Sequence, residues 1–340
     1  MTKLPKHILV IRLSAMGDVA MAVPVLRAFA SQFPQVRLTI LTQRFFTPLF
    51  RNIPNVEVFS AEINGKHKGV LGLYKLAKEL KTLNIDAIAD LHNVLRSNIL
   101  KTFLSRIKTI QINKGRAEKK ALMSGRVFEP LKTTHQRYVD VFDKLGYAIG
   151  MKHSEFPKPR ALSKKILDVI GKEYKDWIGI APFAQHKGKM YPLHLMEEVV
   201  EELSQKYKIL LFGGGKSEIK ILNELQCKYP NVFNIAGKFS LDEELDIISN
   251  LGVMLSMDSG NGHMAAMLGI DVVTIWGVTH PYAGFVPFNQ PFENQLLADK
   301  GQFPKIPTSV YGNTYPEGYE NASASISPQV IIEKVKSLLY

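Results

Sequence analysis

The chain has 340 residues, a length that favours two domains over a single core. Its apolar fraction of 46% is ordinary for a globular protein, and its one cysteine, Cys227, excludes an internal disulfide and a cysteine-rich zinc site. A net charge of +12 points to an anionic partner: nucleic acid, an acidic lipid surface or a phosphorylated substrate.

Strand-sized and helix-sized apolar patterns alternate along the chain, which predicts an α/β fold with parallel sheets. The first apolar run, 7–13, is short and carries Arg12. It is neither a signal segment nor a membrane span, and the longest apolar runs elsewhere are also strand-sized, so the expectation is a cytoplasmic protein. The loop Leu13-Ser14-Ala15-Met16-Gly17-Asp18 leads into a helix at 19–32. Asp18 stands at its N-terminus, and two readings stay open: a simple N-cap, or a general base or ligand contact. Pro24 is expected to kink or restart this helix. Strands at 36–41, 56–59, 87–91 and 109–112 alternate with helices at 47–53, 70–83, 95–104 and 136–145, the last closed by Gly146. Before that last helix, Lys114, Arg116, Lys119, Lys120 and Arg126 crowd one stretch, either a solvated basic loop or an anion-binding patch. The stretch lacks interleaved aromatics, and no RNP, zinc-finger or helix-turn-helix signature is present, so no nucleic-acid partner is expected.

A Lys/Pro-rich break at 151–159 marks the linker, giving domains at 1–155 and 156–340. The alternation then restarts. Strands are predicted at 177–181, 208–212, 232–234, 252–256 and 272–276, and helices at 194–206, 216–228, 241–250, 262–268 and 327–339. Cys227 falls in the helix at 216–228, where packing is its expected role. Ser327 and Pro328 suit the N-cap and first turn of the last helix, which could pack back on the first domain. The architecture is two doubly wound Rossmann-like halves facing a cleft, with ligands beyond the carboxyl ends of the strands.

Three turns in the second half carry chemistry. Residues 184–192, Ala-Gln-His-Lys-Gly-Lys-Met-Tyr-Pro, place lysines before a helix, either a phosphate site or a solvated loop. Gly213-Gly214-Gly215-Lys216-Ser217 fails as a P-loop because Leu210 stands where the motif needs glycine. It reads as a tight turn that can border a nucleotide through Gly214. The most informative segment is Met257-Asp258-Ser259-Gly260-Asn261-Gly262-His263. A strand, a glycine-bearing turn and a helix start together make an anion site, because the first helical N–H groups have no intrahelical partner. No H-E-x-x-H, EF-hand loop or D-x-D at a strand end appears, so no metal is expected. The charge on a leaving diphosphate then falls to lysines and helix N-termini.

With these pieces in order, the chain resembles the bacterial heptosyltransferases of glycosyltransferase family 9. The resemblance runs nearly the full length: residues 8–28, Asp90-Leu91-His92-Asn93-Val94-Leu95-Arg96-Ser97, Lys189-Met190-Tyr191-Pro192, Gly237-Lys238-Phe239-Ser240-Leu241, and Asp258-Ser259-Gly260 through His263-Met264-Ala265-Ala266. It implies a GT-B fold, with the acceptor on the N-terminal half and the donor on the C-terminal half. It implies metal-independent, inverting transfer of a heptose-like sugar from an ADP-sugar to an acidic lipopolysaccharide-type acceptor. Asp18 takes the place of the catalytic base and Lys189 that of the phosphate-binding lysine. Asp258, Ser259, Gly260 and His263 are donor contacts, and Phe239 frames the base. Arg96, Lys120, His135 and Arg137, with Lys114, Arg116 and Lys119, are candidates for binding the acidic glycolipid, which would bring the enzyme to the inner membrane face. The chain departs from the family at Tyr191, where tryptophan is usual, at His280, where aspartate is common, and at Gly262 before the donor histidine. The acidic residue expected near the Gly-rich turn aligns at Lys216 or Glu218. A non-catalytic nucleotide-sugar-binding protein is the alternative.

Overall fold

The computed structural model describes residues 4–151, 155–171 and 176–339. In it the apolar runs become two wholly parallel sheets. The first half builds β1 (His7–Ile11), α1 (Met16–Gln32), β2 (Arg37–Gln43), β3 (Val56–Ala61), α2 (Gly69–Lys81), β4 (Ala87–Asp90), α3 (Leu95–Phe103) and β5 (Lys108–Gln111). After α4 (Arg116–Met123) comes α5 (Thr134–Leu145). The sheet order is β3-β2-β1-β4-β5. All five residues of β1, His-Ile-Leu-Val-Ile, are buried, as a central parallel strand covered on both faces requires.

α1 differs from the sequence expectation in two ways. It begins at Met16, so Ala15 is its N-cap and Asp18 lies inside the first turn. It also continues past Pro24, so the helix does not restart there. An interior proline costs about 3 kcal/mol. Val19, Val23, Val25, Leu26 and Phe29 on the same helix are completely buried, each worth roughly 1.5–3 kcal/mol, and together they outweigh that cost.

The second half builds α6 (Lys164–Ile170), β6 (Trp177–Ala181), α7 (Leu193–Ser204), β7 (Lys208–Leu211), α8 (Lys216–Lys228), β8 (Val232–Asn234), α9 (Leu241–Ile248), β9 (Val253–Met257), α10 (Gly260–Met267), β10 (Asp271–Trp276), β11 (Gln295–Leu297) and α11 (Pro328–Lys336). Its sheet order is β11-β10-β9-β6-β7-β8. Counted from β6, that is the 3-2-1-4-5-6 order of the dinucleotide-binding fold. The last helix, α11, packs on α7, with Ile331, Ile332 and Val335 in the core of its own unit.

The chain divides into two units. The first comprises residues 1–114 and 134–155, the second 115–133 and 156–340. The basic stretch therefore does not stay with the first half, where sequence order puts it. α4 and the segment after it pack on the second unit: Leu131 N donates to Tyr282 O at 2.9 Å, and Lys119 Nζ stands 4.0 Å from the Phe285 ring centroid. Of the expected linker, 152–154 lie outside the described residues. Cys227 is exposed rather than packed, on the outer face of α8. Among the described residues, no helix is long and apolar enough to cross a membrane.

Candidate active site

In a doubly wound sheet, ligands bind where the strand order reverses. Each unit has one such point, between β1 and β4 and between β6 and β9. The loops leaving those strands carry the chemistry-bearing residues.

In the first unit, Asp18 is not the N-cap of α1, because Ala15 holds that position and Asp18 lies in the first turn. Its carboxylate instead pairs with Arg12 Nη2 at 2.5 Å and keeps about a third of its side chain exposed. Arg12 is nearly buried. Its Nη1 donates to Leu91 O at 2.7 Å, and its guanidinium lies 6.0 Å from the Tyr138 ring centroid. Tyr138, fully buried on α5, donates its hydroxyl to Asp18 O at 3.2 Å. His92 completes the network by accepting Leu13 N–H on Nδ1 at 3.4 Å, which leaves its proton on Nε2. Burial, with Arg12 and Lys114 nearby, brings the imidazole down to about 4, so it is uncharged at neutral pH. The turn that presents His92 is built on Asp90, a fully buried carboxylate. Oδ1 accepts His92 N and Asn93 N at 2.9 and 2.8 Å, while Oδ2 accepts the Ser97 hydroxyl and pairs with Lys101 at 2.6 Å.

In the second unit, β6 leads into a single 3-10 turn, Lys187–Lys189. Lys189 Nζ pairs with Asp258 Oδ2 at 2.7 Å and lies 3.3 Å from Asp258 O. Thr279 donates its hydroxyl to the same Oδ2 at 3.0 Å. Lys189 and Asp258, expected to bind different parts of a donor, are thus bound to each other. Three glycines permit the approach. A Cβ on Gly277 would stand 2.3 Å from Gly188 O, and Val278 N donates to that oxygen at 2.9 Å. Gly312, with φ +74°, lies under the Lys189 stem, 2.5 Å from Cγ to where its own Cβ would be.

The turn after Asp258 starts α10 with Ser259 as N-cap. Its hydroxyl is buried and has no hydrogen-bond partner among the described residues. Gly260 opens the helix, and His263 is buried one turn on. Gly262 is required by packing, since a Cβ there would lie 2.5 Å from Ser256 Oγ on β9. Gly214 is exposed, with open space where a Cβ would stand, and its N–H donates to Glu218 at 2.7 Å. Phe239 is buried before the α9 N-cap, with Lys165 Nζ 5.3 Å from its ring centroid.

The departures from the family pattern have local explanations. Tyr191 is buried where tryptophan is usual, and its hydroxyl donates to Ile326 O at 2.7 Å. His280 does an aspartate's capping work, accepting Tyr282 N–H on Nδ1 at 3.2 Å. Burial and Lys300 bring it down to about 4, and its ring packs between Phe128 and Tyr282.

The expected acceptor residues separate. Arg96 is half-buried on α3, and Lys120 is exposed on α4, in the second unit. His135 and Arg137 are buried on α5 rather than presented as surface cations, and Arg137 Nη1 donates to Asn113 O at 3.3 Å. Sequence reasoning missed Arg12, His92, Asp90 and Thr279 as site residues. Their spacing was visible, but only the strand order shows that the loops after β1 and β4, and those after β6 and β9, are neighbours. Among the described residues, no group of three or more His, Cys, Asp or Glu is placed to hold a metal ion.

Comparison with known proteins gives the family. The chain belongs to glycosyltransferase family 9 (heptosyltransferase), whose family model matches residues 73–315. It is therefore a glycosyltransferase. It is 26% identical, over 82% of its length and 81% of the relative's, to the lipopolysaccharide core heptosyltransferase OpsX of Haemophilus influenzae. The two parallel units give it the GT-B fold class shared with solved structures. The glycosyltransferase family 9 protein of Veillonella parvula superposes with a TM-score of 0.76 at 17% identity, covering 98% of this chain and 97% of that one. The Escherichia coli ADP-heptose lps heptosyltransferase II gives 0.69 at 21% identity, covering 98% of each chain.

Proposed function

We propose that this enzyme moves a heptose from ADP-heptose to an acidic lipopolysaccharide-type acceptor by a single inverting displacement, with the first unit supplying the base and the second holding the donor. The observation that carries this reading is the occupancy of the two switch points. One holds an accessible carboxylate, Asp18, in the first turn of α1; the other holds a lysine and an open helix start. The relatives that match over most of the chain are lipopolysaccharide heptosyltransferases, which supports the sugar and the acceptor class.

In this reading the acceptor oxygen bonds to the anomeric carbon while its proton passes to Asp18. The bond from that carbon to the β-phosphate oxygen breaks, and ADP leaves on the opposite face. A carboxylate is a weak base, so it acts late, as the hydroxyl acidifies in the transition state. Arg12 and Tyr138 hold the base in place and His92 holds its loop. Lys189, the free N–H groups of α10 and the Ser259 hydroxyl meet the charge that develops on the diphosphate. Asp258 orients Lys189 with one oxygen and has the other for a sugar hydroxyl. Phe239 and Gly214 border the nucleoside, and His263 and Gly260 line the turn. Arg96, Arg116 and Lys120 are among the cations left accessible for the acceptor, and the setting is the cytoplasmic face of the membrane.

The test is transfer itself. Purified protein with ADP-heptose and a heptose-free core glycolipid should give a heptosylated product whose anomeric configuration, read by NMR, is opposite to the donor's. Chelator should leave the rate unchanged. In thermal shift, ADP should stabilise the fold more than UDP or GDP at equal concentration. Retained configuration, or hydrolysis without transfer, would contradict the mechanism.

A further inference from the structure

Beside the Lys189 site, wholly within the second unit, lies a cavity of about 750 Å³. One wall comes from the segment after α4, including Phe128; the other comes from 300–316, including Lys300, Lys305, Thr314 and Tyr315. The size is that of a small-molecule site. Its walls are pre-formed: Pro304, Pro307 and Pro316 line it, and Thr308 ties the floor by donating its N–H to Val278 O at 3.0 Å.

The lining has a definite chemistry. Phe128 and Tyr315 bring aromatic rings into the lining. Lys300 Nζ stands 3.4 Å from the Phe128 ring centroid, a cation held at an aromatic face. Among the described residues, neither Lys300 nor Lys305 has a carboxylate within ion-pair distance. Such a pocket sets aromatic side chains beside two ammonium groups that no carboxylate neutralises, which suits an anionic sugar. It also adjoins the transfer site. Tyr315 packs so closely on Gly188 that a Cβ there would lie 2.8 Å from its ring, and Gly188 precedes Lys189. The Phe128 wall leans on His280, the residue after Thr279, which binds Asp258.

We propose that this cavity is a subsite for an anionic sugar residue, one bearing a carboxylate or a phosphate, placed next to the donor site. The ligand's source is the acceptor glycan, an assignment that rests on the glycosyl-transfer reading; the site's chemistry does not. Phe128, Lys300 and Lys305 are its specificity-determining residues.

The experiment titrates the full chain, saturated with ADP, with glucose, glucuronate and glucose 6-phosphate, followed by NMR. The two anions should bind saturably with ADP still in place, and glucose about tenfold more weakly or worse. Lys305→Glu, at an exposed position, should cut anion affinity about tenfold or more, while Lys81→Glu, an equal charge change on α2, should not. Loss of saturable anion binding in the wild type, equal binding of glucose, or indifference to Lys305→Glu would overturn the subsite. Displacement of the anions by ADP would assign them to Lys189 and overturn it too. In turnover, Lys305→Glu should raise KM for the acceptor with kcat retained. If the anions bind as expected but that KM does not move, the site stands and its assignment to the acceptor falls. None of the binding arms requires transfer, so failure of the proposed reaction remains separable.

Discussion

At the scale of single residues, the site depends on contacts that leave no slack. Gly312 is the clearest case. Its φ of +74° disfavours any side chain, and the Cβ of an alanine would push on the Lys189 stem from 2.5 Å. Gly312→Ala should therefore cost about 1–2 kcal/mol in stability. It should also displace the ammonium, lowering kcat/KM by roughly tenfold or more, since misplacements near 1 Å can cost about a hundredfold. Melting curves and steady-state kinetics check both, and unchanged kinetics would show that Lys189 is not held by this contact. Residue chemistry was partly legible in the sequence. Asp18, Lys189 and Asp258 stand out because a carboxylate at a helix start, a lysine before a helix and a Gly-bearing turn each carry a mechanism. Thr279 and Arg12 did not stand out, because their roles exist only through partners distant in sequence: Thr279 through Asp258, and Arg12 through Leu91.

At the scale of elements, local pattern and tertiary context divide the work. α8 and β8 fall where the sequence predicts them, because a Gly turn, a helical repeat and a short apolar run punctuate one another. α4 leaves no helical signature in the sequence, because only Leu122 of its eight residues is buried, too little to make a periodic stripe. β11 is three residues long and shows no alternation; it exists because β10 has a free edge beside it. α9 shows a local signal that did reach the structure. Ser240 and Glu243 form a reciprocal capping box, with Ser240 N donating to Glu243 at 2.8 Å and Glu243 N donating to Ser240 Oγ at 3.3 Å. Ser240→Ala should cost about 1 kcal/mol. For the second unit unfolding by itself, roughly 200 residues, that is a drop of roughly 2–4 °C in Tm, measurable by calorimetry. No change would mean that the helix start is held by Phe239 packing alone.

At the scale of the molecule, two buried imidazoles set a pH limit. His92 and His280 are each brought from the ordinary histidine range to about 4, in both cases mainly by burial. The unfolded chain then binds more protons than the folded one below about 6.5. Their stabilisation is fully present above that pH and is lost as pH falls toward 4, by on the order of 3 kcal/mol each at the lower end. Tm should fall through this window. His280→Asn, which can still cap the 281–283 turn, should flatten the decline, and an equally steep decline in that variant would remove His280 from the account. The two-unit organisation was legible because the strand–helix alternation restarts after residue 159. The attachment of 115–133 to the second unit was not, since chain order says nothing about which core a returning segment covers. The account's central claim is that the two switch points divide one reaction, the base on the first unit and the diphosphate on the second. The most direct measurement compares Asp18→Asn with Lys189→Ala in turnover and in ADP binding. Asp18→Asn should lower kcat roughly 100- to 10,000-fold with ADP affinity unchanged, while Lys189→Ala should lose both. Full turnover by Asp18→Asn, or weakened ADP binding in that variant, would contradict it.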